Sequence, residues 1–405
     1  MERTEAAKPG RTARESFSAA LLALITCQVG LHACTQGVRM AAPLQALGAG
    51  QGEWSVGVLL ALFAVFPALL AVAAGRMADR HGYHRPVHLA GTLSLLGALA
   101  AAVSGHYLVL CLAAAMCGAG SGFGMVAIQR TGGRLAHDRT ERMRIFSWIA
   151  LAPAVAGLIG PLLAGTLIDA LGFRAAFAAL AVLPAATLVV AQAVPRETGR
   201  VADAADTRPR PAWELLRDAR FRRLLFINWL VSASWDVFGF ALPIVGHAHG
   251  LSASAIGGVL AAYALASMGV RLLIPLLAHR LSRRLMMVGA LSAVAFVYAV
   301  FPLLQGAWAM GVAAAVLGLA LGTIQPAILA SVHDIAPPER QGEAMAVRSM
   351  SVHLSMALTP LLFGVAGSAI GAATLFWLMA AALGAGGWQA RAMGTADEST
   401  RGENR

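Results

Sequence analysis

Charge is what this sequence has least of. Only 13% of its 405 residues are charged, against about 25% in an ordinary soluble chain. Hydrophobic residues make up 58% and the mean hydropathy is +0.69. So few charges cannot clothe a water-facing surface, which excludes a soluble globular protein. The apolar residues are gathered in long runs such as Val56 to Ala74, Val87 to Val103 and Leu285 to Phe301. A run of about 20 apolar residues spans the hydrocarbon core as a helix. Cysteine is also scarce. The four present (Cys27, Cys34, Cys111, Cys117) form no Cys-x-x-Cys pair, so they read as small buried apolar residues rather than disulfide or metal ligands. There is no nucleophile–base pair, phosphate loop, metal-ligand cluster or appended soluble domain. An enzyme is therefore not expected, nor a cofactor or metal.

The charges that are present lean one way, with a formal net charge of +11 and a pI near 10.8. Their placement argues against nucleic acid as the reason. Of 31 lysines and arginines, all but Arg39, Arg174 and Arg271 fall in the two tails, a central polar stretch and alternate loops. Loops rich in Lys and Arg stay on the cytoplasmic side. Both termini are therefore expected in the cytoplasm, and the chain in the inner (cytoplasmic) membrane. The expected partners are the lipid bilayer and a small-molecule substrate, with no nucleic acid, and the expected state is a monomer. The first apolar segment, near Phe17 to Ala42, is too long for a signal peptide and has no convincing cleavage site.

Hydropathy predicts twelve spans in an all-α membrane protein, at 17–43, 54–75, 86–105, 107–129, 147–170, 173–194, 223–245, 253–278, 285–304, 307–331, 343–367 and 370–388. Residues 196–222 form the one long polar linker. It separates a six-helix half (16–195) from a second (223–388), with tails at 1–15 and 389–405. Ala212 to Phe221 is expected either as a helix on the membrane surface, with Trp213 and Leu215 facing lipid, or as solvated linker. An internal repeat ties the halves together. A shift of 200 superimposes Gln28 on Asn228, Gln36 on Asp236, Pro43 on Pro243, Gly57 on Gly257, Gly118 on Gly318 and Gly122 on Gly322. A shift of 199 superimposes Pro161 and Gly165 on Pro360 and Gly364. Because six is even, the halves enter the membrane from the same side, as parallel repeats with the solute site between them near the midplane.

After the second span comes Gly75-Arg-Met-Ala-Asp79-Arg80-His-Gly82-Tyr-His-Arg85, and the second half keeps a degraded copy around Arg280. Glycines at 75 and 82 suit a tight turn. This loop resembles the signature of the major facilitator superfamily, Gly-x-x-x-Asp-Arg-x-Gly followed by basic residues, with Tyr83 and His84 departing from it. With twelve spans and the parallel repeat, the resemblance covers nearly the whole chain. It implies two pseudo-symmetric six-helix bundles and a gating loop of Gly75, Asp79, Arg80, Gly82, Arg85 and Arg280. Asp79 would face the start of helix 11 near Glu343. Helix 5 carries Gly157, Gly160, Pro161 and Gly165, similar to the small-residue pattern of the exporter branches. The pattern closest to this chain is that of bacterial twelve-helix drug or metabolite:proton antiporter-like permeases. The arginine those exporters carry in helix 4 is missing here, and plain helix packing accounts for the glycines nearly as well.

Polar residues inside a membrane are expensive and therefore informative. On helix 1, Gln28, His32, Thr35, Gln36 and Arg39 share one face. Asn228, Ser232, Trp235 and Asp236 form the matching face of helix 7. Two such stripes across the repeat axis are the expected walls of a substrate cavity, the alternative being hydrogen bonds in a dry interface. Asp236 is the only acid near mid-membrane, and with His32 it is the candidate proton carrier. Its candidate partners are Arg39, His32 and Arg271, unless Arg271 instead snorkels to the headgroups. The reading is secondary active transport of small organic solutes by alternating access, coupled to a proton gradient, as efflux. The alternatives are proton-coupled uptake of a small, anionic metabolite and, remotely, a receptor or enzyme on the same scaffold.

Overall fold

The computed structural model describes residues 11–135, 139–196, 212–277, 283–335, 341–371 and 373–386. Among them, ten helices are long and apolar enough to cross a bilayer, and two apolar helices are shorter. In chain order these are α1 (Arg11–Gly48), α2 (Glu53–His81), α3 (His84–Val103), α4 (Tyr107–Leu135), α5 (Arg139–Leu171) and α6 (Phe173–Val190). The second set is α7 (Ala219–Ala248), α8 (Ala253–Leu277), α9 (Arg283–Val300), α10 (Ala307–Ile335) and α11 (Gln341–Ile370), closed by α12 (Ala373–Gly386). Large apolar side chains such as Leu22, Leu69, Leu108 and Leu362 stand on the outside, as a lipid-facing surface requires.

The repeat seen in the sequence recurs in the backbone. α4 and α10 share their boundaries at a shift of 200, and α1 and α7 end at Gly48 and Ala248. The turns that follow place Gly50 at φ 81° and Gly250 at φ 68°, a left-handed conformation that glycine adopts at no steric cost. Side-chain-free contacts repeat as well. A Cβ on Gly118 of α4 would lie 2.7 Å from the Phe63 carbonyl of α2, and one on Gly318 of α10 would run into the Tyr263 carbonyl of α8. Small residues at these positions let helix backbones touch, which is how helices associate where lipid removes the hydrophobic driving force.

Two helix pairs join the halves, α2 with α11 and α5 with α8. Gly57 packs on the Pro360 carbonyl and on Gly364, while Gly257 packs on the Pro161 carbonyl and Gly165 on Ala253. These contacts are mates under the repeat, and all lie at the end of the bundle away from the arginine-rich loops. There Asp169, at the end of α5, accepts hydrogen bonds from the backbone amides of Ala253 (3.0 Å) and Ser254 (2.8 Å). A carboxylate at a helix N-terminus satisfies amides that have no intrahelical partner and meets the positive end of the dipole. Asp169→Ala is expected to weaken this far-end closure by about 1 kcal/mol, the usual worth of a capping carboxylate. Double electron–electron resonance between labels at the far ends of α5 and α8 would show it as a growing long-distance population. On the other seal, Glu53 of α2 packs against Gly367 of α11, with its Oε2 buried and lacking a hydrogen-bond partner.

At the basic end the structure corrects several expectations. Gly75 is not in a turn: α2 runs through it to His81, and only Gly82, at φ 69°, makes the turn. The first side chains of α11, Glu343 among them, which Asp79 was expected to face, lie outside the described residues. Among those described, Asp79 is 64% exposed and pairs with Arg130 of α4 at 2.9 Å, within its own half. Arg130, expected in a loop, belongs to α4, which runs on to Leu135 beyond the predicted end at 129. Arg80 and Arg85 are exposed, while Arg280 lies outside the described residues. The short helix before α7 is a 3-10 turn, Ala212–Arg217, with Asp218 capping α7 through the Arg220 amide at 2.7 Å. Its Leu215 is buried in the core rather than facing lipid.

Candidate solute site between the halves

A cavity of about 280 Å³ lies between α1, α5, α7 and α8, near the lower end of the roughly 300–1,000 Å³ typical of small-molecule pockets. Gln36, Arg39 and Met40 line it from α1; Pro153, Ala154, Gly157 and Pro161 from α5. Trp235, Phe238 and Gly239 come from α7, with Leu260, Tyr263, Ala264, Ser267 and Arg271 from α8. Its walls thus come from both halves, and Pro161 of the α5–α8 seal is part of them.

Asp236 sits at the centre of the polar network. It is almost wholly buried and faces Arg39 across the interface, with 3.6 Å between Arg39 Nη2 and Asp236 Oδ1. Ser355 of α11 donates to Asp236 Oδ2 at 3.3 Å and lies 3.3 Å from the Thr359 hydroxyl. Of the three partners the sequence left open for Asp236, the structure selects Arg39. The reason is register: Arg39 is three residues beyond Gln36, the repeat mate of Asp236, so both stand at the same depth.

The two polar stripes do not act as single walls. Gln36, Arg39 and Trp235 line the cavity. Gln28 instead is buried and donates to His32 Nδ1 at 3.0 Å. Thr35 donates to the Leu31 carbonyl (2.9 Å) and to Cys117 of α4 (3.3 Å), so it ties two helices of one half. Ser232 is buried and bonds back to the Asn228 carbonyl at 2.9 Å. Asn228 Oδ1 in turn accepts from Arg348 Nε of α11 at 3.1 Å. For Gln28, Thr35, Ser232 and Asn228, hydrogen bonding within a half replaces the expected cavity role. His32 lies about 6 Å along α1 from Gln36, one turn toward the basic end, and does not line this cavity. Replacing Asn228 with Ala is expected to cost about 1.5–3 kcal/mol, the range for a hydrogen bond to a charged group. The measurement is thermal unfolding in detergent, where an unchanged midpoint would contradict the assigned bond.

The helix 5 residues divide in the same way. Gly160 packs on Ala33 and Gly37 of α1, and Gly165 and Pro161 on α8, while Gly157 borders the cavity beside Ala264. Close packing occupies Gly160 and Gly165, whereas Gly157 has room for a Cβ and Pro161 also lines the cavity. Sequence reasoning missed Tyr263, Ser267, Ser355, Thr359 and Arg348. Tyr263 stacks at a tilt on Trp235 (centroids 4.4 Å apart) and on Phe238 (5.1 Å), and Tyr298 donates to the Ser234 carbonyl behind them. The repeat offered one signal: Tyr263 is the mate of Phe63 and carries the extra hydroxyl.

The Major Facilitator Superfamily model matches this chain twice, over residues 24–231 and 224–405. The chain belongs to that superfamily, and is accordingly a secondary transporter and multi-pass membrane protein rather than an enzyme. No curated protein matches it in sequence. Among solved structures, the nucleoside transporter NupG superimposes with a TM-score of 0.76 at 13% identity, covering 92% of this chain and 99% of NupG. A POT family transporter in complex with a thioalcohol-conjugated peptide gives 0.73 at 13% identity, covering 91% and 94%. Another POT family structure, with 5-aminolevulinic acid, gives 0.72 at 11% identity, again covering 91% and 94%. These similarities establish the shared fold, with twelve helices as two bundles of six.

Proposed function

We propose that this chain moves small organic solutes across the cytoplasmic membrane by alternating access, with transport coupled to protons at Asp236. Both termini would be cytoplasmic, and the halves 16–195 and 223–388 would rock about the cavity, joined by 196–222. The supporting observation is the ion pair between Arg39 on α1 and Asp236 on α7. It links the two moving bodies, and adding a proton to the carboxylate removes one of its charges. The link then loosens and Arg39 is released toward the cavity. Opposite charges brought out of water hold each other only while both remain charged, so proton binding and the relation of the halves become one equilibrium.

This charge layout favours solute and proton moving together, because protonating the carboxylate leaves positive charge at the cavity that an anionic solute balances. In a cell with an inward proton gradient that is uptake. The reverse direction, efflux by proton exchange, is the second reading. It draws on the helix 5 pattern and on the mainly apolar wall formed by Met40, Pro153, Leu260 and Phe238. The test is solute-triggered proton movement in proteoliposomes challenged with pools of small carboxylates, dyes and antibiotics. Proton entry with a carboxylate supports uptake, and proton movement against a solute supports efflux. Solute transport with no proton movement under either gradient would end the coupling proposal.

A further inference from the structure

One cation in the cavity has nothing to neutralise it. Arg39 is matched by Asp236, but Arg271 lines the same space and makes no ion pair among the described residues. Its Nε is buried without a hydrogen-bond partner, and so is the Tyr263 hydroxyl eight residues earlier on the same face of α8. Buried donors left unmet cost about 1–3 kcal/mol each, and proteins retain them where a ligand or solvent completes the bond. Arg271 is not snorkelling free of the site: it borders the cavity itself. Trp235, 38% exposed, lines the same cavity from α7, with its ring against Tyr263 and, through Tyr263, Phe238. The cavity therefore presents both an unneutralised guanidinium and an aromatic surface.

We propose that the solute is a small aromatic carboxylate, its carboxylate held by Arg271 and its ring laid against Trp235 and Tyr263. The planar fork of a guanidinium matches the two oxygens of a carboxylate. Indole and phenol faces favour a flat apolar partner in offset or edge contact. The Tyr263 hydroxyl lines the same cavity without a hydrogen-bond partner, so it is available to donate to the anion. A cationic solute would meet the uncompensated charge of Arg271 and be repelled. Leu260 and Arg271, eleven residues apart on α8, mark a length of about 16 Å, so an aromatic acid spans only part of the cavity.

This inference rests on the transporter reading of the cavity but not on proton coupling, and binding to purified protein separates the two. Benzoate, phenylacetate, propionate and benzylammonium would be titrated by calorimetry and by Trp fluorescence against wild-type, Arg271→Gln, Arg271→Lys and Tyr263→Phe proteins. Folding of each variant would be checked by size-exclusion. The expected order is benzoate or phenylacetate above propionate, with no binding of benzylammonium. Arg271→Gln should weaken the aromatic acid at least tenfold, Arg271→Lys less, and Tyr263→Phe severalfold. Benzylammonium binding as well as the acids, benzoate affinity unchanged in Arg271→Gln, or no binding of either acid to wild-type would each overturn the proposal. Arg271-dependent binding without proton movement in vesicles would uphold the aromatic anion and sink only the coupling.

Discussion

Asp236→Asn protein is expected to lose proton-driven accumulation of solute while still exchanging solute across the membrane. The substitution keeps the shape and one acceptor for the Ser355 hydroxyl, but it removes both the titrating group and the countercharge of Arg39. Removing one partner of a buried pair costs about 3–5 kcal/mol, because the other charge is left uncompensated. The variant should therefore unfold at lower temperature, and accumulation against a gradient should fall by at least about tenfold, a change worth 1.4 kcal/mol. Counterflow with solute on both sides needs no net proton transfer and should persist. Adding Arg39→Met to Asp236→Asn removes the stranded charge, so the double variant should recover stability but not accumulation. That split marks a coupling role, since a merely structural pair would recover or lose both together. Full accumulation in Asp236→Asn protein would show that the proton travels elsewhere.

The second large effect is expected at the far-end seal. A Cβ on Gly257 would run into the Pro161 carbonyl, and one on Gly57 would lie 2.5 Å from the Pro360 carbonyl. Both obstacles are backbone atoms, which cannot swing aside as a flexible side chain does. Gly257→Val or Gly57→Val should therefore oppose closure at this end at a cost of about 1–3 kcal/mol. That shifts the balance of the two arrangements by roughly five- to more than a hundredfold. The check is an Ala154→Cys reporter in the cavity wall of a protein without its four native cysteines. A membrane-impermeant thiol reagent on the far side should reach it much faster in either valine variant than in the parent. Because the two contacts are mates, the two variants should behave alike. Equal labelling rates in all three proteins would show that these contacts do not control access.

Much of this architecture could be read directly from residues, and the reasons are physical. Membrane spans announce themselves because lipid tolerates no long polar segment, and the repeat is visible wherever glycine or proline must hold a backbone contact, as at Gly57, Gly257, Pro161 and Pro360. The polar site was legible only in part. Asp236, Arg39, Gln36 and Trp235 stood out because charged and large amphipathic residues are rare in such helices. Ser355, Thr359 and Tyr263 did not, since a hydroxyl in an apolar helix commonly bonds its own backbone, as Thr166 and Thr374 do. Nor does sequence tell a stripe facing a cavity from one facing a neighbouring helix. Thr35 and Gln36 are adjacent, yet the first binds Cys117 of α4 and the second lines the cavity. Arg348 was counted with the cytoplasmic arginines by the sign of its charge, although the predicted span 343–367 contains it, and hydropathy says nothing of its bond to Asn228.

The paired seals carry a consequence for origin. Position 57 of one half touches position 360 of the other, and position 257 touches position 161. These are two copies of a single contact, the pattern of an isologous dimer in which residue i meets j and j meets i. A lone six-helix chain carrying the glycine and the proline would have gained both contacts at once on meeting a second copy of itself. Fusion of two such copies would preserve the clasp while freeing each half to drift. The divergence extends to the working residues: Asp236 is the mate of Gln36, Arg39 of Gly239 and Arg271 of Ala71. What remained symmetrical holds the two parts together, and what ceased to be symmetrical gives the space between them its polarity.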